Sequence, residues 1–114
     1  MAGPSTAPPI PETDGETRSK QLPPFNVVLL DDDEHSYDYV IRMMQSLFGH
    51  DQDRAYRVAQ RVDSDGRVVC LTTHKEHAEL KRDQILAFGK DPIMAISKGS
   101  MSAVIEPARE GEAE

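Results

Sequence analysis

The chain has little of what would stiffen a small domain covalently or anchor it in lipid. Its 114 residues include one cysteine, Cys70, no tryptophan and 5% aromatics. A single cysteine excludes an intramolecular disulfide framework and a cysteine-based zinc site. No apolar run approaches the roughly 20 residues that span a bilayer, and the N-terminus lacks the basic start and apolar core of a secretory signal. A cytoplasmic protein with no membrane partner is therefore expected. Positive charge is also scarce, with 13 Lys and Arg against 20 Asp and Glu, a net charge of −7. That balance argues against a nucleic-acid surface held by phosphate contacts and suits a ligand or partner carrying positive charge. The length allows one small domain and excludes a multidomain enzyme.

Six of the eight prolines fall within the first 24 residues, interleaved with Ser, Thr, Gly and Glu. Such a segment cannot bury enough apolar surface to offset its ordering entropy, so 1–24 is expected to be a disordered extension. Its proline content describes a stiff spacer. The polar, acidic residues 106–114 read as a disordered tail. Between them lies a core over 25–105, whose ten basic and thirteen acidic side chains give −3.

Within that core, Phe25 to Leu30 is apolar and β-branched, as a buried strand requires. Ser36 can cap a helix in which Tyr37, Val40, Ile41, Met44, Leu47 and Phe48 recur at helical spacing, with Gly49 as its stop. Asp51 can cap a second helix that buries Ala55, Val58, Ala59 and Val62. Asp65-Gly66 signals a turn into a strand from Arg67 to Thr72. Thr73-His74-Lys75-Glu76 has the form of a capping box opening a helix to about Phe88, closed at Gly89. Pro92 to Ser97 and Ala103 to Ile105 are short strand candidates. The order β-α-α-β-α-β predicts an α+β sandwich, one sheet with helices on one side.

Asp31-Asp32-Asp33-Glu34 stands at the carboxyl end of the first strand. Four consecutive acids repel one another unless solvated or neutralised. The run is compatible with a solvated loop that caps the next helix, a metal site, a phosphoacceptor site, or an anionic socket for a cationic ligand. Val27 to Glu34 looks like the start of a receiver domain, and Pro92 to Ser97 like that fold's fourth strand. However, the central strand Val68 to Leu71 runs into Thr72-Thr73-His74 rather than a phosphorylated aspartate, and the length cannot supply five β-α units. His35, His50, His74 and His77 lack metal-ligand spacing. Cys70 lies in an apolar strand as a small hydrophobe. No Ser-His-Asp set, phosphate loop or general-base pair stands out, so a non-enzymatic protein needing no metal or organic cofactor is expected.

Taken together, the segments resemble the ClpS family, adaptors that deliver N-degron substrates to the Clp ATP-dependent protease. The family's first strand runs into an Asn-Asp-Asp turn and a helix. Here Val27 to Asp33 takes that place, with Asp31 where Asn is usual. A second helix then leads into Val-His-x-x-Gly and a strand containing Cys. Val62-Asp63-Ser64-Asp65-Gly66 and Cys70 fall in register, with Asp63 in the histidine's place. Glu76-His-Ala-Glu-Leu-Lys81 reproduces the family's Glu-x-Ala-Glu-x-Lys helix, and Asp91-Pro92-Ile93 its final proline. The resemblance covers about 25–97 without a gap.

The resemblance implies a ClpS-like fold, a three-stranded antiparallel sheet packed against three helices, acting as a monomer. It implies that the α-ammonium of a substrate with a destabilising N-terminal residue meets Asp31, Asp32 and Asp63. The first side chain would enter an apolar pocket at His35, Tyr37, Val40, Ala59, Val62 and Ile93. Glu76 and Lys81 would dock on the N-terminal domain of a Clp-type AAA+ unfoldase. Asp31 and Asp63 make the socket more negative than the family's, and Tyr37 and Ala59 replace large flexible side chains. A basic N-terminal residue, a lysine side chain or a divalent cation therefore also fits. Two rival readings are an interaction module like the ribosomal stalk protein's C-terminal domain and a truncated receiver-like phosphoacceptor. The first normally needs a lysine-rich helix, whereas His74 to Lys90 is mixed in charge.

Overall fold

The computed structural model describes residues 22–109. The expected extension 1–24 lies outside the described residues as far as residue 21, as do residues 110–114 of the expected tail. The elements are β1 (Phe25–Leu30), α1 (Tyr37–Phe48), α2 (Gln52–Asp65), β2 (Arg67–Thr73), α3 (Lys75–Leu86) and β3 (Ser102–Pro107). Both neighbours of the central β1 are antiparallel to it, in the order β2-β1-β3. This is the expected three-helix, three-stranded α+β sandwich.

The first two helices form where their caps place them. Ser36 accepts from the backbone N–H of Tyr39, and Asp51 from that of Arg54, each satisfying an orphan donor of a first turn. They end at Gly49 and Gly66, whose φ values of 68° and 83° lie in the left-handed region that a side chain disfavours. The Gly49 N–H returns to the Gln45 carbonyl and the Gly66 N–H to that of Val62. Helix α2 buries Ala55, Val58, Ala59 and Val62, as its spacing predicts.

Helix α1 differs from its expected face. It buries Tyr39, Val40, Met43 and Met44, whereas Tyr37 is 38% exposed. Residues 37 and 39 sit about 200° apart around a helix, so only one tyrosine can face the core, and tertiary partners decide which. The Tyr39 hydroxyl donates to the Gly89 carbonyl at 2.5 Å, while that of Tyr37 reaches Asp63 at 2.8 Å.

The expected capping box of α3 does not form. His74 is the N-cap and makes no side-chain cap bond, while the Thr73 hydroxyl lies 3.2 Å from His77 Nδ1. The helix ends at Leu86, with Ala87 as its cap, before the expected Phe88. The expected strand over Pro92 to Ser97 is absent as well. That segment folds as turns, with the Ser97 N–H on the Met94 carbonyl, because Asp91 and Ser97 side chains take its backbone donors in place of a sheet neighbour. The third strand is instead β3, which extends to Pro107; the Ala108 N–H continues the contact by bonding the Pro24 carbonyl at 2.9 Å.

The core lies between the sheet and the helical layer. Val27 and Leu29 of β1 pack with Val68, Cys70 and Ala103 against Met43, Met44, Val62, Ala78 and Ile85. The pairing shifts between Val27 and Val28, which oppose Leu71 and Val69 and leave Cys70 as the extra residue of a bulge. Asn26, on the opposite face of β1, is fully buried and accepts the Thr72 hydroxyl at 2.7 Å.

Candidate functional site

The acidic run lies where β1 hands over to α1. The Asp31 N–H bonds the Gly66 carbonyl at 3.0 Å, pinning the end of β1 to the turn that closes α2. This brings Asp31 beside Asp63. Burial raises the Asp31 carboxyl above its ordinary 3.8; the Asp32 backbone hydrogen bond opposes the rise, and the facing charges of Asp63, Asp32 and Asp33 add to it.

Asp32 turns inward instead. Its Oδ1 accepts the Glu34 N–H at 2.8 Å, and its two oxygens lie 2.8 and 3.0 Å from His35 Nδ1. The other ring nitrogen of His35 lies 2.7 Å from the Gly99 carbonyl and 3.2 Å from the Ser97 hydroxyl. A carboxylate and a carbonyl only accept, so this setting favours the imidazolium, the form that donates from both nitrogens. Its side chain is only 3% exposed. Burial pulls the His35 pKa down, but the bonds to Asp32 and Gly99 and the charges of Asp32 and Asp91 outweigh it, leaving the group above its ordinary 6.5.

A second carboxylate closes the same junction. Asp91, 2% exposed, accepts the Ser36 N–H at 2.7 Å, the Ser36 hydroxyl at 2.8 Å and the Ile93 N–H at 2.8 Å. The Ser97 hydroxyl in turn accepts the Asp91 N–H at 2.9 Å. Desolvation pushes the Asp91 carboxyl up, but these donors overcome it and hold the group below 3.8. Together His35 and Asp91 clasp the loop before β3 onto the first turn of α1.

Across the site, Tyr37 leans on Tyr56 edge to face, with ring centroids 5.8 Å apart, and its hydroxyl donates to Asp63. That bond, followed by burial and the Asp63 charge, raises the phenol above 10.0. Tyr37, Asp63 and Ser64 share an open groove with Arg57, Gln60 and Arg61 of α2.

The structure brings together Asp31, Asp63 and Tyr37 at the surface. Asp32 and His35 stand beside them but bind each other. Val40, Ala59 and Val62 are packed into the core beneath, at 3%, 1% and 2% exposure, whereas Ile93 is 59% exposed on the clasped loop. Glu76 is exposed in the first turn of α3. Lys81 is half-buried and reaches back to α1, its ammonium 2.5 Å from the Leu47 carbonyl and 5.5 Å from the centre of the Phe48 ring, a cation satisfying a helix C-terminus. Sequence reasoning missed Tyr39, Asp91 and Ser97 as supports of this site. The only local signal for Asp91 was its place before a proline, where an aspartate favours a turn.

Comparison with known proteins agrees with this architecture. Residues 20–94 match the family described as ATP-dependent Clp protease adaptor protein ClpS. The ClpS adapter protein of Aromatoleum aromaticum is 40% identical over 75 residues, covering 66% of this chain and 74% of that protein. The ClpS adapter protein of Vibrio atlanticus is 36% identical over 76 residues, covering 65% and 72%. The structure of Agrobacterium tumefaciens ClpS2 bound to L-phenylalaninamide superposes with a TM-score of 0.65, covering 75% of this chain and 98% of that one at 22% identity. The chain belongs to the ClpS family of adaptors of the ATP-dependent Clp protease. Among the described residues, no helix is long and apolar enough to cross a membrane.

Proposed function

We propose that this adaptor is non-enzymatic and binds the free N-terminus of proteins destined for a Clp-type unfoldase, with the α-ammonium held between Asp31 and Asp63. The observation that carries the reading is the pair itself, two carboxylates whose mutual repulsion helps raise the Asp31 pKa. An ammonium seated there offsets that repulsion and donates charge-assisted N–H bonds to both carboxylates, which accept them. Tyr37 and Ile93 offer exposed apolar surface at the rim for the first side chain, above the packed Val40, Ala59 and Val62. Asp32 supports the site through His35 and contributes charge. The phenylalaninamide bound by the Agrobacterium protein, a free amine on a bulky apolar residue, is the chemistry this rim would take. The exposed face of α3 around Glu76 would meet the unfoldase, with Lys81 fixing α3 against α1 behind it.

Fluorescence anisotropy of peptides beginning with Phe, Leu, Tyr or Trp, each with free and acetylated N-termini, tests the reading. Free-amine peptides are expected to bind at micromolar concentration, on the order of −8 kcal/mol, and acetylated ones far more weakly. Equal binding of the two forms would refute it.

A further inference from the structure

We propose that Arg57 and Arg61 form a second subsite that reads acidic side chains just downstream of the substrate's N-terminal residue. The inference rests on the reading of Asp31 and Asp63 as the ammonium socket and adds a preference which that reading does not contain. Its ground is a juxtaposition. Arg57, Gln60 and Arg61 line the same open groove as Asp63 and Tyr37, so the site is negative at one end and positive along the adjoining helix face. A peptide entering with its amine at Asp63 crosses that face next.

Spacing sets which residues are read. Arg57 precedes Asp63 by six positions, about 9 Å along a helix axis. An extended peptide covers that in about three residues at roughly 3.4 Å each. Arg57 and Arg61, four positions apart, share one face of α2, which the groove joins to Asp63 around the helix, so the second to fourth substrate residues are the ones tested.

The two guanidinium groups are available for this. Arg67 is paired with Glu106 and Arg82 with Asp83, but neither Arg57 nor Arg61 enters an ion pair among the described residues. Both are exposed in a chain of net charge −7, where intramolecular carboxylates are plentiful. Planar guanidinium groups can bind carboxylates in a bidentate manner. Arg54 continues the row one turn further, and all three also line a groove along Val68, Val69 and Cys70 of β2. Arg57 and Arg61 are thus the ridge shared by both grooves.

The test uses the full chain and free-amine Phe peptides with Glu, Gln or Lys at positions 2–4, read by anisotropy beside acetylated controls. Exposed ion pairs each contribute up to about fivefold. Glu peptides are therefore expected to bind about five- to twentyfold tighter than Gln peptides in low salt, with the gap closing near 1 M salt as screening shortens to about 3 Å. In R57E/R61E the order is expected to invert, Lys peptides binding tighter than Glu. Equal affinity of Glu and Gln peptides for the unaltered protein overturns the subsite while leaving the ammonium socket standing. An acidic preference that survives in R57E/R61E, or that is unmoved by salt, overturns it too. Acetylated peptides binding as well as free ones would overturn the socket and the subsite together. The salt titration uses unaltered protein, so the proposal stays falsifiable if the double variant fails to fold.

Discussion

The two sides of the site are built on different principles. On one side, the first turn of α1 is bonded to the loop before β3 through His35, Ser36, Asp91 and Ser97, and the central groups of that junction are almost inaccessible. On the other, α2 presents Asp63, Arg57 and Arg61 to solvent, with the Tyr37–Asp63 hydrogen bond and the Tyr37–Tyr56 ring contact reaching across to α1. Charge is spent on architecture in the first region and left exposed in the second. Substitutions in the clasp are therefore expected to act on stability, and those on the α2 face, on the proposed reading, on ligand choice.

The largest effect is expected from Asp91→Ala. It strips three donors of their acceptor inside the protein, and unsatisfied buried groups cost about 1–3 kcal/mol apiece before relaxation and water entry. A loss of about 3 kcal/mol in urea unfolding is expected, with Asp91→Asn losing less. Asp32→Ala should follow at about 2 kcal/mol, since it leaves the buried His35 imidazolium without its counter-charge but the Asp32 side chain is itself 34% exposed. Both measurements are urea midpoints, and an effect no larger than that of an ordinary surface substitution would erase the distinction between the regions.

The same clasp has a pH signature. His35 sits above 6.5 in the folded protein, so its contribution is complete below the unfolded value of 6.5 and declines as pH rises through the folded one. Urea midpoints recorded from pH 6 to 9 should fall with pH in the unaltered protein, and His35→Gln should flatten that fall. Turning to the open side, Asp63→Asn should weaken free-amine peptides about tenfold, the equivalent of one charge-assisted hydrogen bond, with little change in unfolding. Tyr37→Phe should be smallest in stability, within about 0.5 kcal/mol, because the bond it removes is exposed. Circular dichroism and anisotropy on the same preparations separate the two kinds of effect.

Much of the fold could be read in the sequence because local signals and the tertiary structure agree there. Ser36, Gly49, Asp51 and Gly66 mark the ends of α1 and α2 by their own chemistry, and the apolar spacing of α2 matches its buried face. Where two local patterns compete, the sequence is ambiguous. Tyr37 and Tyr39 both fit a helical stripe, and the choice is made by Gly89 and Asp63, distant residues that no local pattern contains. Thr73 to Glu76 has a capping box's letters, yet Thr73 is the last residue of β2 and its hydroxyl faces His77. Pro92 to Ser97 is apolar enough for a strand, but both edges of β1 are already taken by β2 and β3. The candidate site divides in the same way. Its acids are conspicuous in the sequence, whereas the division of labour, with Asp32 turned to His35 and Asp63 left outside, depends on a loop some sixty residues away.

The strand order has a kinetic consequence. Among the described residues, the central strand β1 comes first in chain order and one of its two neighbours, β3, comes last, with Phe25 opposite Pro107. Nearly all of the described chain must therefore be looped out before that pairing closes, the kind of non-local contact that slows folding. The clasped loop lies immediately before β3, so the bonds of Asp91 and Gly99 to the first turn of α1 are themselves long-range contacts of the same kind. The frame that orients the acids of the candidate site thus includes the loop next to β3, and a chain in which β3 has not paired lacks the strand that anchors that loop.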